Sequence, residues 1–235
     1  MGWLIQFTKS SIGSKALMAL TGAGMLGFTI AHFLGNSLIF VGPDALNEYA
    51  RTLHHTPTLL WVARLGTLAM ITIHVGVAFR LWSANRAARP ERYVYQNTIK
   101  ATPASRGMIY SGLLLLTFVV YHLLHFTLGV VNPADSFAPN NLVPVAGEVG
   151  QQMPDVFSMV VKSFSNPLVS LSYIVAMVTL GAHLVHGIAS LFQTLGLNTP
   201  KTKPLSVQLG WGLTVFLVGG NIAIPVSILL GIVGH

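Results

Sequence analysis

The sequence predicts an all-α membrane protein, a bundle of five transmembrane helices, and three observations lead there. Of its 235 residues 52% are hydrophobic and only 8% charged, against about 25% charged in an ordinary soluble domain. Five apolar stretches are each long enough to cross a hydrocarbon core of about 30 Å, which takes roughly 20 helical residues. Between them the basic residues gather in alternate connections.

The first span covers about 15–41 and stops at Gly42-Pro43. The second, about 58–83, opens behind Pro57, and the third, about 107–131, runs from Arg106 toward Pro133. Pro167 opens the fourth, about 167–195, and Pro204 precedes the fifth, about 205–233. Proline at a first turn and Gly or Pro beyond a last turn are the usual helix punctuation. The five make one domain, 1–235. The opening MGWLIQFTKS has no basic run before its apolar residues, unlike a cleaved signal peptide; Trp3 and Phe7 read as interfacial anchors. In the connection at about 132–166, Val156, Met159, Val160 and Phe164 recur at helical spacing, which predicts an amphipathic helix along the outer surface.

Arg86, Arg89, Arg92, Lys100 and Arg106 fall in the second connection, Lys201 and Lys203 in the fourth, and Lys9 and Lys15 before or at the first span. The first and third connections hold only Arg51 and Lys162. The positive-inside rule then puts the N-terminus in the cytoplasm and the C-terminus outside. The formal charge of +7 is thus mainly a topology signal, and no nucleic-acid partner is expected. With no cysteine in the chain, disulfides and thiolate-bound metals are excluded.

Six of the nine histidines fall inside spans: His32, His74, His122, His125, His183 and His186. Ionisable side chains at such depth are costly and usually functional. His32 lies about 26 Å beyond Lys15, and His122 about 24 Å beyond Arg106, so both share an outer level. His74 and His183 each lie 16 residues past Thr58 and Pro167, about 24 Å inward from the outer helix ends, and share an inner level. Four histidines on four helices at two matched depths suit two stacked b-type haems, each needing one imidazole nitrogen on either face. TGAGMLGFTIAH and SGLLLLTFVVYH each carry a Gly ten residues before the His; Gly22 and Gly112 are expected to let the flat macrocycle approach the backbone. His125 and His186, one turn beyond another His, read as hydrogen-bonding residues. A di-iron carboxylate site would need inward Glu, whereas all six acidic residues fall in connections.

With TGAGMLGFTIAHFLGN in the first helix, IHVGVAFRLWSANRAARPERY leaving the second, SGLLLLTFVVYHLLHF in the third and SYIVAMVTLGAHLVHGIASLFQTLGLN in the fourth, the chain resembles the cytochrome b membrane-anchor subunit of succinate:quinone oxidoreductases and fumarate reductases, of the single-polypeptide di-haem type. The resemblance covers nearly the whole chain. It implies His32 and His122 on the outer haem iron and His74 and His183 on the inner one. It implies a subunit without succinate chemistry of its own, in the bacterial cytoplasmic (inner) membrane, carrying a flavoprotein and an iron–sulfur subunit on its cytoplasmic face. Electrons would pass from the iron–sulfur subunit through two haem b groups to quinone, usually menaquinone in di-haem members. The quinone is expected near the outer haem, with Glu48, His54, His55, Trp61 and Arg64 as candidates. The competing readings are the cytochrome b anchor of another quinone-linked respiratory oxidoreductase and a His-lined membrane transporter.

Overall fold

A computed structural model describes residues 2–88, 91, 101–131, 137–145 and 147–234. Arg89, Arg92 and Lys100 of the basic second connection lie outside the described residues, as do Pro90 and Pro133. Among the described residues nine α-helices follow in chain order: α1 (Gly2–Lys9), α2 (Ser11–Asn36), α3 (Pro43–His55), α4 (Pro57–Ala87), α5 (Pro103–Arg106), α6 (Met108–His122), α7 (Val156–Phe164), α8 (Pro167–Thr194) and α9 (Lys203–Leu229). A two-stranded antiparallel hairpin, β1 (Leu142–Pro144) and β2 (Gln152–Pro154), precedes α7. Five helices are long and apolar enough to cross a membrane: Ser11–Phe40, Pro57–Ala87, Met108–Thr127, Pro167–Thr194 and Lys203–Leu229. They correspond one for one to the five apolar stretches of the sequence.

The boundaries follow local chemistry. α2 begins four residues earlier than the apolar run because the Ser10 hydroxyl accepts from Gly13 N at 3.0 Å and caps it. It continues as a 3-10 turn, Ser37–Phe40, and the chain turns at Gly42, whose φ of 138° suits only glycine. α6 runs on through one π-helical turn, Leu123–Thr127. α8 is capped by Asn166, which accepts from Leu168 N at 3.0 Å, with Pro167 at the first position.

α2, α4, α6 and α8 form a ring in which each touches the next and α8 closes on α2; α9 packs outside, against α8 and α2. Close approach of α9 depends on Gly220, because a Cβ there would overlap the Phe33 ring of α2. Small residues at helix contacts are what a bundle in lipid relies on, since hydrocarbon removes the hydrophobic drive between helices. The spans are otherwise apolar all round. α4 has no buried residue, and Leu59, Trp61, Val62, Leu65, Leu68 and Ile73 are all exposed along it, a surface suited to lipid rather than water.

The buried apolar core sits at one end, where Ile39, Leu46, Phe164, Tyr173, Ile224 and Ile228 cluster. α3 and α7 cover this end; we call it the upper end. The amphipathic helix expected around 156–164 is α7, with Met159, Ser163 and Phe164 buried. The first connection folds as the helix α3. The two are latched by buried Asn47: its Oδ1 accepts from Phe157 N at 2.9 Å and its Nδ2 donates to Asp155 Oδ1 at 3.2 Å. The same Asp155 oxygen accepts from Ser158 N at 3.0 Å and caps α7. At the lower end Arg80 of α4 donates to the Thr8 carbonyl at 3.0 Å and to the Lys9 carbonyl, closing the C-terminus of α1.

Candidate functional site

The ring of α2, α4, α6 and α8 brings its histidines together as two pairs. At the upper level the rings of His32 and His122 have centroids 5.7 Å apart, nearly perpendicular at 86°. At the lower level His74 and His183 are 6.5 Å apart and inclined at 56°. Thr21 of α2 and Ser111 of α6 meet the lower pair and stand 11 residues before His32 and His122, so the levels are about 16 Å apart along the helices.

Two imidazoles facing each other at each level are the donor set that a bis-histidine haem would use. Two imidazole nitrogens on one metal, with bonds of about 2 Å each, place the ring centroids roughly 6 Å apart; the lower pair stands near that spacing and the upper pair slightly inside it. Each pair comes from opposite helices of the ring and offers two ligands only. Among the described residues no group of three or more His, Asp or Glu side chains converges to hold a metal ion.

The surroundings of the two levels differ. His32 is stacked on Phe28 at 5.6 Å and 10°, while His122 lies among Phe118, Phe126 and Tyr173. The Tyr173 hydroxyl lies 3.3 Å from His122 Nδ1 and 2.9 Å from His125 Nδ1. His125 is buried at the π turn, which presents two histidines three positions apart to one phenol. It takes the hydrogen-bonding role that its spacing suggested. His186 is half-buried one turn beyond His183. At the lower level His74 Nδ1 lies 3.2 Å from Thr21 Oγ1 and His183 Nδ1 lies 3.0 Å from Ser111 Oγ. Gly22 and Gly112 stand here too, and a Cβ on them would meet Cε1 of His74 at 3.4 Å and of His183 at 3.7 Å. The group these two glycines face is therefore an inner imidazole on the neighbouring helix.

The five quinone-site candidates divide. Glu48 accepts from Arg51 through both carboxylate oxygens, at 2.7 and 2.8 Å, and Arg51 reaches Glu148 at 3.5 Å. The hydrogen bond from Arg51 lowers the Glu48 pKa below its ordinary value. A carboxylate so held is a poor proton carrier near neutrality. His54 and His55 are exposed at the C-terminal end of α3. Trp61 and Arg64 are joined one turn apart on α4, with the guanidinium carbon 5.4 Å from the indole centroid. A surface cavity at this end is lined by Asp44, Glu48, Arg51, Glu148 and Met153, and of the five candidates only Glu48 borders it.

Thr21, Ser111 and Tyr173 were absent from the sequence reading. The first two had a visible signal, a hydroxyl residue directly before each glycine of the TG and SG repeat; Tyr173 had none, because its role depends on how α8 faces the π turn. Comparison with family models, with curated proteins and with solved structures finds no match to this chain.

Proposed function

We propose that this chain is the di-haem cytochrome b membrane subunit of a succinate:quinone oxidoreductase, in the bacterial cytoplasmic membrane. The observation that carries the reading is the pairing of His32 with His122 and of His74 with His183 across the ring, at two levels. Haem b bound to each pair supplies one-electron redox chemistry at that level. His32 with His122 and His74 with His183 would hold the two haems through ring nitrogens, with imidazole orientations set by Thr21, Ser111 and Tyr173 and apolar helices around both levels. The upper level is the outer one in this reading. The lower end carries Lys9, Lys15, Arg86, Arg106, Lys201 and Lys203 and faces the cytoplasm, where a flavoprotein and an iron–sulfur subunit dock. Quinone, of the menaquinone type, is reduced at the upper end, where proton supply rests on His54 and His55 more than on ion-paired Glu48, with Trp61 and Arg64 beside them.

The test is haem content in the purified chain. A pyridine haemochrome assay is expected to give two haems per chain. His32→Ala or His122→Ala is expected to remove one, and His74→Ala or His183→Ala the other, distinguished by the redox transition that disappears. Zero or one haem in the native chain overturns the reading.

A further inference from the structure

The lower pair is held by a device that occurs twice. In α2 the Thr21 hydroxyl donates to the Leu17 carbonyl at 2.7 Å, and in α6 the Ser111 hydroxyl donates to the Met108 carbonyl at 3.1 Å. A hydroxyl that keeps its single proton on its own helix faces the imidazole of the neighbouring helix with lone pairs only. In that arrangement His74 Nδ1 at 3.2 Å and His183 Nδ1 at 3.0 Å are the donors. The Thr21 hydroxyl has a second acceptor on its own helix, the Met18 carbonyl at 3.2 Å. In each case the next residue is a glycine, Gly22 or Gly112, which leaves the ring room beside the backbone.

We infer that Thr21 and Ser111 are paired positioning residues, which hold His74 and His183 in the Nδ1–H tautomer and turn both Nε2 lone pairs toward the space between the two rings. The inference rests on the di-haem reading for its consequence, though not for the hydrogen bonds. A donated Nδ1–H fixes the ring about its Cβ–Cγ bond and strengthens the opposite nitrogen as a ligand. The upper pair lacks this arrangement: His122 Nδ1 faces a phenol shared with His125, and His32 is set by stacking on Phe28. The two levels are therefore predicted to differ in ligand strength although both are bis-histidine.

Two measurements test this, one without any cofactor. In the full chain, 15N-labelled at histidine and kept haem-free in lipid nanodiscs at neutral pH, the 15N shifts of His74 and His183 are expected to report Nδ1–H. Thr21→Val and Ser111→Ala are expected to shift the respective resonance toward the Nε2–H form, with Thr21→Ser and Ser111→Thr restoring it. An Nε2–H tautomer in the wild-type chain overturns the inference. In the haem-loaded chain, Thr21→Val or Ser111→Ala is expected to displace the midpoint potential and the low-spin electron paramagnetic resonance of one haem, leaving the other as in wild type, with rescue again by the hydroxyl variants. Unchanged potentials and resonances in both variants reduce Thr21 and Ser111 to ordinary helix hydroxyls bonded to their own backbone. If the wild-type chain takes up no haem, the di-haem reading fails while the nitrogen shifts still decide the hydroxyl–imidazole bonds.

Discussion

Single residues differ here in how firmly their neighbours commit them. Asn47 is buried and uses both ends of its amide, accepting from Phe157 N and donating to Asp155; Asn47→Ala is expected to destabilise the chain by about 1–3 kcal/mol by leaving those groups unpaired. Asp155 gives this latch a pH dependence. Burial by itself would raise its pKa, but bonds from Ser158 and Asn47, with Lys162 nearby, outweigh that and lower it. Because the folded value is the lower one, the stabilisation is complete above the unfolded value and is lost as pH falls through the folded value. Amide exchange in α7 is therefore expected to accelerate below about pH 4, measured by hydrogen–deuterium exchange in detergent, and Asn47→Ala is expected to speed it already at neutral pH. His54 and His55 are less constrained. On the proposed function, replacing both with Gln is expected to slow reduction of a quinone analogue severely while both haem spectra stay unchanged; wild-type turnover in that variant would remove them from the proton route. The candidate site was legible in part for the same reason. Histidines in apolar helices announce themselves by their desolvation cost, whereas the pairing of Glu48, a quinone-site candidate, with Arg51 one turn on through both carboxylate oxygens shows only in the fold.

Elements were legible where their hydrophobic length alone defines them. The five spans could be read from α2 to α9 because each needs roughly 20 apolar residues, and the breaks at Pro57, Pro167 and Pro204 are local. α3 was hidden: PDALNEYARTLHH carries enough polar residues to read as a solvated loop, and only Leu46 and Asn47, buried under the cap, show its inward face. The π turn was equally hidden, because widening the helix after His122 depends on the packing of Tyr121, His125 and Phe126 around Tyr173. Helix contacts give a prediction with an internal control. Gly220 faces the Phe33 ring while Gly219 faces open space, so Gly220→Val is expected to lower stability by about 1–3 kcal/mol through overpacking, and Gly219→Val to leave it nearly unchanged. Thermal denaturation of the two variants in the same detergent checks this.

At the scale of the whole molecule the two ends are unlike. The upper end is closed by α3, α7 and the β hairpin, and the lower end carries most of the basic residues. If the basic end is cytoplasmic, cysteines placed at Ala88 and at Thr199 are expected to be labelled only from the cytoplasmic side, and one placed at Val149 only from outside; labelling of Ala88 from outside alone would invert the arrangement. The order of helices in the ring has a further consequence. α2 and α4 form one hairpin, with His32 high and His74 low, and α6 and α8 form a second, with His122 high and His183 low. Each hairpin thus owns half of both sites and the whole of neither. The hydroxyl that faces each lower imidazole comes from within its own hairpin, so either half can preset its ring during insertion, but on the di-haem reading neither would close a coordination sphere until the other lies beside it in the bilayer. Filling both levels would then amount to a proof of correct assembly: a chain with one hairpin misthreaded would present four half-sites and hold nothing.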